Sequence, residues 1–501
     1  MTPLSGNNLK QQWFLPLLLL LLCGLYVFNI SGWLIHDDEG TDLYEAWQLQ
    51  IGNQPGVDFI AEQQPLFLLL GKIVLGFSDD SVQSVRLLRL VSALQVLSGA
   101  FFFGWAIRKI WGNHTAALTV GLILTSGLVY QQARLFRPDP MMFAWELFGL
   151  GFVMLAVYEG KRPYWAAAGF CYGVAILMKP FGLFPILGLI FFFAYQFYTQ
   201  RDRWSQIFAN GLAFAIPLLL TALGISAILY AALGFYYLEF LAYHVEMGEQ
   251  RSLLNIFTDF IFSYIGFFLI HAVTIFILPL AYLSRRHGLE SSGGLYKALL
   301  LTQLVVPLSF VAISRPLHPR YFMFLVPVVA LLLALEVNKL FSKITLEQPR
   351  LTNYFAPSIF VFIAFSALTT WPSISQHLTR KENDTLRLAQ FIQTNTAPDD
   401  VVVADYAALN FHARRQSIHE ASIIAGGQID SGAVTGALLI DRLEASEAEL
   451  ILIHVEGGDP FPHHIIDLID FPVFEAYLAE EYEMIELFDR GGQLIEIYQR
   501  K

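Results

Sequence analysis

Three acids in a row stand where an apolar run ends. The stretch "HDDEGTDLYEA" (36–46) places Asp37, Asp38 and Glu39 directly after "WFLPLLLLLLCGLYVFNISGWLI" (13–35). Ionisable groups at a membrane boundary cost several kcal/mol unless they pair or face water, so such a cluster points to a site; the plain alternative is a solvated loop closing the span. A second acid, Asp139 in "RLFRPDP", precedes Pro140 and suits a helix N-cap as well as a site. Cations also gather near the ends of apolar runs: Arg86, Arg89, Arg134, Arg137, Lys179, Arg251, Arg315 and Arg320. Groups so placed are more often binding groups than orientation signals. Asp38, Glu39, Asp139 and the histidines His36, His244 and His318 could also ligate a divalent cation, with Asp38 and Asp139 the first candidates, but no spacing demands a metal.

The elements that must position these groups are membrane spans. Of 501 residues 55% are hydrophobic and only 15% charged, against roughly a quarter charged in an ordinary soluble domain. The run at 13–35 is too long for a signal peptide and lacks a clear small-residue cleavage site; at about 20 residues or more it can span a bilayer. Apolar windows predict about eleven transmembrane helices, near 13–34, 88–107, 115–132, 140–158, 164–178, 181–198, 207–232, 257–283, 297–314, 320–337 and 354–372. With a cytoplasmic N-terminus, the connections "RKIWGNH", "EGKRP", "YTQRDRW", "SRRHGLESSGGLYK" and "EVNKLFSKITLEQPR" each bring two or three Lys or Arg to the inner side. The acid motif, Asp139, "SRPLHPR" and everything after Trp371 then lie outside. A net charge of −11 and the absence of a basic tract exclude a nucleic-acid partner. Cys23 and Cys171 both sit in apolar runs, which argues against a disulfide or a thiolate metal site.

The first external loop is long. "TDLYEAWQLQIGNQPGVDF" predicts an amphipathic surface helix with Leu43, Tyr44, Trp47 and Ile51 on its apolar side, and "AEQQPLFLLLGKIVLGF" a second one, too short for a comfortable span. From about 380 the texture changes. "NDTLRLAQFIQTNTAPDD" reads as a capped helix, "VVVADY" and "AELILIHV" as buried strands, and "EMIELFDRGGQLIEIYQ" as a hairpin. The chain is therefore divided into a transmembrane domain, 1–372, and a small extracytoplasmic α/β domain, 373–501. The aromatic, acidic segment 234–256 suits either an amphipathic surface helix or a lid.

The ordered set of motifs resembles the GT-C glycosyltransferases, in particular the branch of protein O-mannosyltransferases and lipid A aminoarabinose transferases. The family's first loop reads Asp-Glu, Tyr, Gly and Pro-Pro-Leu; here these fall on Asp38-Glu39, Tyr44, Gly52 and Pro65-Leu66. Further matches are "VRLLRL" entering the second span, "RLFRPDPMMFAWEL", "GVAILMKPFGLFPILGLI" and "HPRYFMFLVPVVALL". The resemblance covers roughly 10–340.

It implies an enzyme that takes a sugar from a polyprenyl-phosphate carrier and passes it to a lipid, glycan or protein acceptor at the outer face of the inner (plasma) membrane. Asp38 matches the catalytic aspartate and would act as general base, with attack opposite the departing phosphate giving inversion. Glu39 would orient Asp38 or the sugar, and Asp139, the second acidic position, would hold acceptor or sugar or share a divalent cation with Asp38. Lys179, Arg320 with His318, and then Arg86 and Arg137 are the cations implied for the leaving phosphate; Tyr44 and Gln64 fall on substrate-contacting positions of the first loop. The branch commonly carries a Lys before Pro-Pro-Leu, where this chain reads Gln63-Gln64-Pro65, and that departure leaves the sugar open. Two other classes fit parts of the pattern: a lipid or sugar transporter or flippase, and a non-catalytic scaffold of envelope assembly. Against the first, the acids cluster at one face and no inverted repeat is evident.

Overall fold

The structure is a computed structural model. It describes residues 19–30, 37–233, 292–313, 319–347, 385–455, 464–489 and 494–501, with isolated positions between 357 and 375. The protein is polytopic and helical, with a small C-terminal sheet. The described residues divide into two compact units. The long helix Ser81–Trp111 begins in one unit and continues in the other.

In the membrane unit, five helices among the described residues are long and apolar enough to cross a bilayer: Ser81–Trp111, Pro138–Glu159, Pro180–Thr199, Arg201–Ala232 and Arg320–Lys343. They coincide with five of the expected spans. The expected span 257–283 and most of 354–372 lie outside the described residues, as do His36, His244, Arg251, Arg315, His318 and the segment 234–256. Two spans depart from expectation. The one expected at 115–132 is broken into Asn113–Leu124 and Gly127–Ala133, bent by 64°. At the break Thr125 turns its hydroxyl back onto the Gly121 carbonyl at 2.7 Å, a local bond that competes with helical continuation. The helix expected at 164–178 is Arg162–Met178, 17 residues long. It ends at Lys179, whose backbone is extended (φ −157, ψ 135) because Pro180 follows; a short 3₁₀ turn, Pro180–Gly182, then leads into Leu183–Thr199. Arg162–Met178 packs closely on Pro138–Glu159, where a methyl on Gly149 would meet the Tyr172 ring at 2.7 Å.

The second unit joins the first loop to the C-terminal domain. The expected hairpin is present as β3 (Tyr482–Asp489) and β4 (Leu494–Arg500), antiparallel with a bulge between Met484 and Glu486. The strands expected at "VVVADY" and "AELILIHV" are β1 (Val402–Ala404) and β2 (Leu450–His454), which pair in parallel; the sheet order is β1-β2-β4-β3. Val403, Ile451, Ile453, Leu439, Leu443 and Phe474 form its core. Just after β1, buried Asp405 accepts the backbone N–H groups of His454 (3.0 Å) and Ile465 (2.8 Å). Burial outweighs those bonds and pushes its carboxyl up to about 7.

The first-loop helix, Asp37–Ile51, differs from the amphipathic surface helix expected. It starts at the acid motif itself. Its apolar residues Leu43, Tyr44 and Trp47 are buried, but so are Asp42, Glu45 and Gln48, whereas Ile51 is exposed. A helix with polar groups covered on its second face is seated in protein rather than floating on a bilayer, and the C-terminal domain supplies that seat. The second first-loop helix, Pro65–Leu75, starts with Pro at its first position, as the fixed φ of proline favours.

Candidate functional site

In the membrane unit the site is built around Asp139. It lies in the first turn of Pro138–Glu159, where the positive end of the helix dipole favours an anion; Lys179 follows the last turn of Arg162–Met178, where the negative end favours a cation. These two termini meet, and Lys179 Nζ stands 2.7 Å from Asp139 Oδ1. Arg320, from the 3₁₀ segment Pro319–Leu325, brings its Nε to 3.9 Å from the same oxygen. Arg137, two residues ahead of the acid, places its Nε 3.8 Å from Oδ2. Three cations thus surround one carboxylate. Asp139 and Arg137 are buried, while the Lys179 and Arg320 side chains each retain 14% exposure. Phe181 and Tyr321 wall the cluster, with rings 4.3 Å apart edge to face, and Lys179 Nζ sits 5.4 and 5.3 Å from their centroids. The break at Lys179-Pro180 therefore serves the site: a continuous helix would carry the lysine past the acid.

Three cations gathered this closely suit an anion. They do not suit a divalent cation, which would have to approach Asp139 among three like charges. Among the described residues, no group of three His, Cys, Asp or Glu side chains stands close enough to hold a metal.

In the second unit Asp38 is half-buried near the start of its helix. Glu39, its neighbour, is fully buried and engaged: Arg89 Nε and Nη2 donate to its two oxygens at 2.8 and 2.6 Å, and Arg89 Nη1 donates to the Ile30 carbonyl at 3.0 Å. This bidentate geometry fixes the first turn of the helix. Tyr44 is buried, and its hydroxyl accepts the Ser417 N–H at 2.9 Å. Gln64 is buried immediately before the Pro65–Leu75 helix, and its carbonyl accepts the Leu68 N–H. Arg86 is exposed.

Of the residues picked from sequence, Asp139, Lys179, Arg320 and Arg137 are brought together. Asp38, Glu39 and Tyr44 share one helix, Arg86 lies apart on a solvent-facing side of its own, and His318 is outside the described residues. Arg89 and Arg134, among the cations singled out at run ends, were given no role, and Glu45 and Glu146 were missed. Arg89, not Arg86, closes on Glu39. Arg134 donates to the Phe28 carbonyl at 2.7 Å and to the Tyr130 hydroxyl, holding the end of the first helix. Glu45 accepts the backbone N–H groups of Glu62 (3.0 Å) and Gln63 (3.3 Å), tying the two first-loop helices together; burial and nearby Asp42 push its carboxyl well above the usual range. Glu146, two turns beyond Asp139, is buried within its span. A signal for Glu45 was available: Asp38, Asp42 and Glu45 recur at helical spacing on one face.

Residues 63–238 match the family model described as dolichyl-phosphate-mannose-protein mannosyltransferase. Among solved structures, ArnT from Cupriavidus metallidurans bound to undecaprenyl phosphate matches at TM-score 0.67 and 14% identity, covering 98% of both chains. The apo form of that ArnT matches at TM-score 0.70 and 16% identity, covering 97% of this chain and 98% of the other. An oligosaccharyltransferase from Archaeoglobus fulgidus, tethered to an acceptor peptide, matches at TM-score 0.60 and 14% identity, covering 98% of this chain and 74% of the other. No curated protein sequence matches the chain.

Proposed function

The chain has the fold of the GT-C superfamily and resembles its mannosyltransferase and ArnT branch, and from that premise we propose that it is an inverting glycosyltransferase. It moves a monosaccharide from a polyprenyl-phosphate carrier to an acceptor at the extracytoplasmic face of the membrane. The observation that carries this reading is the Asp139 cluster: Lys179, Arg320 and Arg137 all stand within 4 Å of one carboxylate at the ends of membrane helices, with Lys179 and Arg320 partly exposed. A lipid phosphate arriving at that exposed edge would meet cations already in place. The undecaprenyl phosphate bound to ArnT supports the choice of ligand.

Asp38 removes the proton from the acceptor hydroxyl as its oxygen attacks the anomeric carbon. The bond from that carbon to the phosphate oxygen breaks, its electron pair stays on the phosphate, and the cations placed in advance stabilise the growing charge. Asp139 aligns Lys179 and Arg320, and Glu39, locked by Arg89, holds the helix that carries Asp38. Where the aminoarabinose branch carries a Lys before Pro-Pro-Leu, this chain reads Gln63-Gln64-Pro65 without a cation, so the sugar is open. No step is assigned to a metal.

The test is transfer by purified full-length protein from a panel of polyprenyl-phosphate sugars, with products read by mass spectrometry and anomeric configuration by NMR. Asp38→Asn should abolish transfer while donor binding persists; unchanged turnover removes Asp38 as base. A reporter fused after residue 380 checks the outward side of the C-terminal domain. A flippase or a scaffold would move or bind the carrier lipid without forming a glycosidic product.

A further inference from the structure

The helix carrying Asp38 and Glu39 is gripped by the C-terminal domain. Gly40 follows the acids, and a methyl on it would stand 2.9 Å from Ala408 Cβ, 3.1 Å from the Ala408 nitrogen and 3.2 Å from a Tyr406 ring carbon. Its φ is not in the positive range, so its own backbone would accept alanine, the better helix former; it is the close approach of Ala408 that requires glycine. One turn on, the Tyr44 hydroxyl accepts the Ser417 N–H across 373 positions of sequence. At the far end of the loop, the Ile60 N–H donates to the Ser422 hydroxyl at 2.9 Å. His412 Nδ1 lies 2.8 Å from the Ser81 hydroxyl, at the start of the helix whose Arg89 closes on Glu39. The domain thus touches both halves of the Glu39–Arg89 pair's framework.

We propose that the C-terminal domain is a positioning element for the acid pair, setting where the Asp38 carboxylate points by seating Gly40 on Ala408 and Tyr44 on Ser417. Gly40, Tyr44 and Ser417 are positioning residues, and the domain is part of the catalytic apparatus, not an appended module. The claim about turnover rests on Asp38 being the base; the claim about seating does not.

The experiment uses the full chain in lipid nanodiscs, with Gly40→Ala, Ala408→Gly and the double variant. Gly40→Ala should raise hydrogen exchange across 37–51 about tenfold and lower kcat roughly 100-fold with the donor KM little changed, as expected for a displaced catalytic group. Ala408→Gly removes the tightest of the three opposing atoms and leaves the Ala408 nitrogen and the Tyr406 ring, so the double variant should recover a measurable part of both losses. A merely local defect at position 40 would not be rescued from residue 408. Tyr44→Phe, which deletes one oxygen and keeps the fold, should shift exchange and kcat in the same direction and by less. Unchanged exchange in Gly40→Ala, or no rescue by Ala408→Gly, overturns the proposal. Should Gly40→Ala not fold, unchanged exchange in Tyr44→Phe overturns it. If the wild-type protein transfers no sugar, the functional reading fails, and the exchange measurements still decide the seating.

Discussion

Two buried carboxylates in this chain meet arginine or lysine in opposite ways. Glu39 meets Arg89 through two hydrogen bonds, with both side chains wholly enclosed. Asp139 has three cations around it, one at hydrogen-bond distance and two farther off, with two of the three reaching solvent. The first arrangement is a closed bidentate pair that holds a helix. The second gathers three cations about one carboxylate, two of them at the accessible edge. The difference separates a structural ion pair from a site prepared for an anion, on geometry and exposure rather than residue type.

The largest effect should come from breaking the closed pair. Arg89→Met leaves Glu39 charged and buried, at a cost of about 3–5 kcal/mol, so thermal unfolding in detergent should drop sharply and folded yield with it. Glu39→Gln in the same chain should recover much of that loss, because no lone charge remains. Next, Lys179→Ala should leave stability nearly intact, since Arg320 and Arg137 still face Asp139. Transfer should nonetheless fall roughly 10²–10³-fold in kcat, the range for losing one preorganised charge-stabilising group. If Lys179→Ala instead unfolds the protein without a specific kinetic defect, the contrast between the two centres collapses.

Asp139→Asn sharpens the contrast from the other side. It strips the cations of their internal counter-charge, so the unliganded protein should be less stable by a few kcal/mol, and added polyprenyl phosphate should raise its melting temperature more than it does for wild type. A separate test concerns pH. Asp405 has its carboxyl raised from 3.8 to about 7 in the fold. The folded form therefore holds the proton more tightly, and its stabilising contribution is present below pH 4 and lost as pH rises towards 7. Chemical denaturation of the full chain should show this slope, and Asp405→Asn should flatten it.

Legibility followed distance in sequence. The hairpin, the two central strands and five spans were visible because alternation and apolar run length are local properties. The stop at Lys179 was visible in "MKPFG" for the same reason: Pro180 governs its neighbour. The Asp139 group was reachable because its members all stand at predicted span ends. Arg89 and Arg86 could not be told apart, since three residues separate them and only packing decides which one faces inward. The first-loop helix was misjudged because its polar face looked made for water. Its true cover, near Ala408 and Ser417, lies more than 360 residues away in the chain, and no short-range pattern reports it. The break at Thr125 was missed because Thr125 and Ser126 in "GLILTSGLVY" are too few to interrupt an apolar window, while hydroxyl back-bonding leaves no mark on hydropathy.

That break has a consequence for what must cover it. The Asn113–Leu124 helix has 12 residues and so rises about 18 Å, far short of a hydrocarbon layer about 30 Å thick, and after the 64° bend its continuation cannot run along the same axis. Broken backbone at such depth is tolerated only where protein shields it. Most of Asn113–Leu124 is buried, as are Val129, Tyr130 and Ala133 beyond the bend, and the Tyr26 hydroxyl donates to the Leu124 carbonyl at 2.9 Å, meeting an oxygen that oil would leave bare.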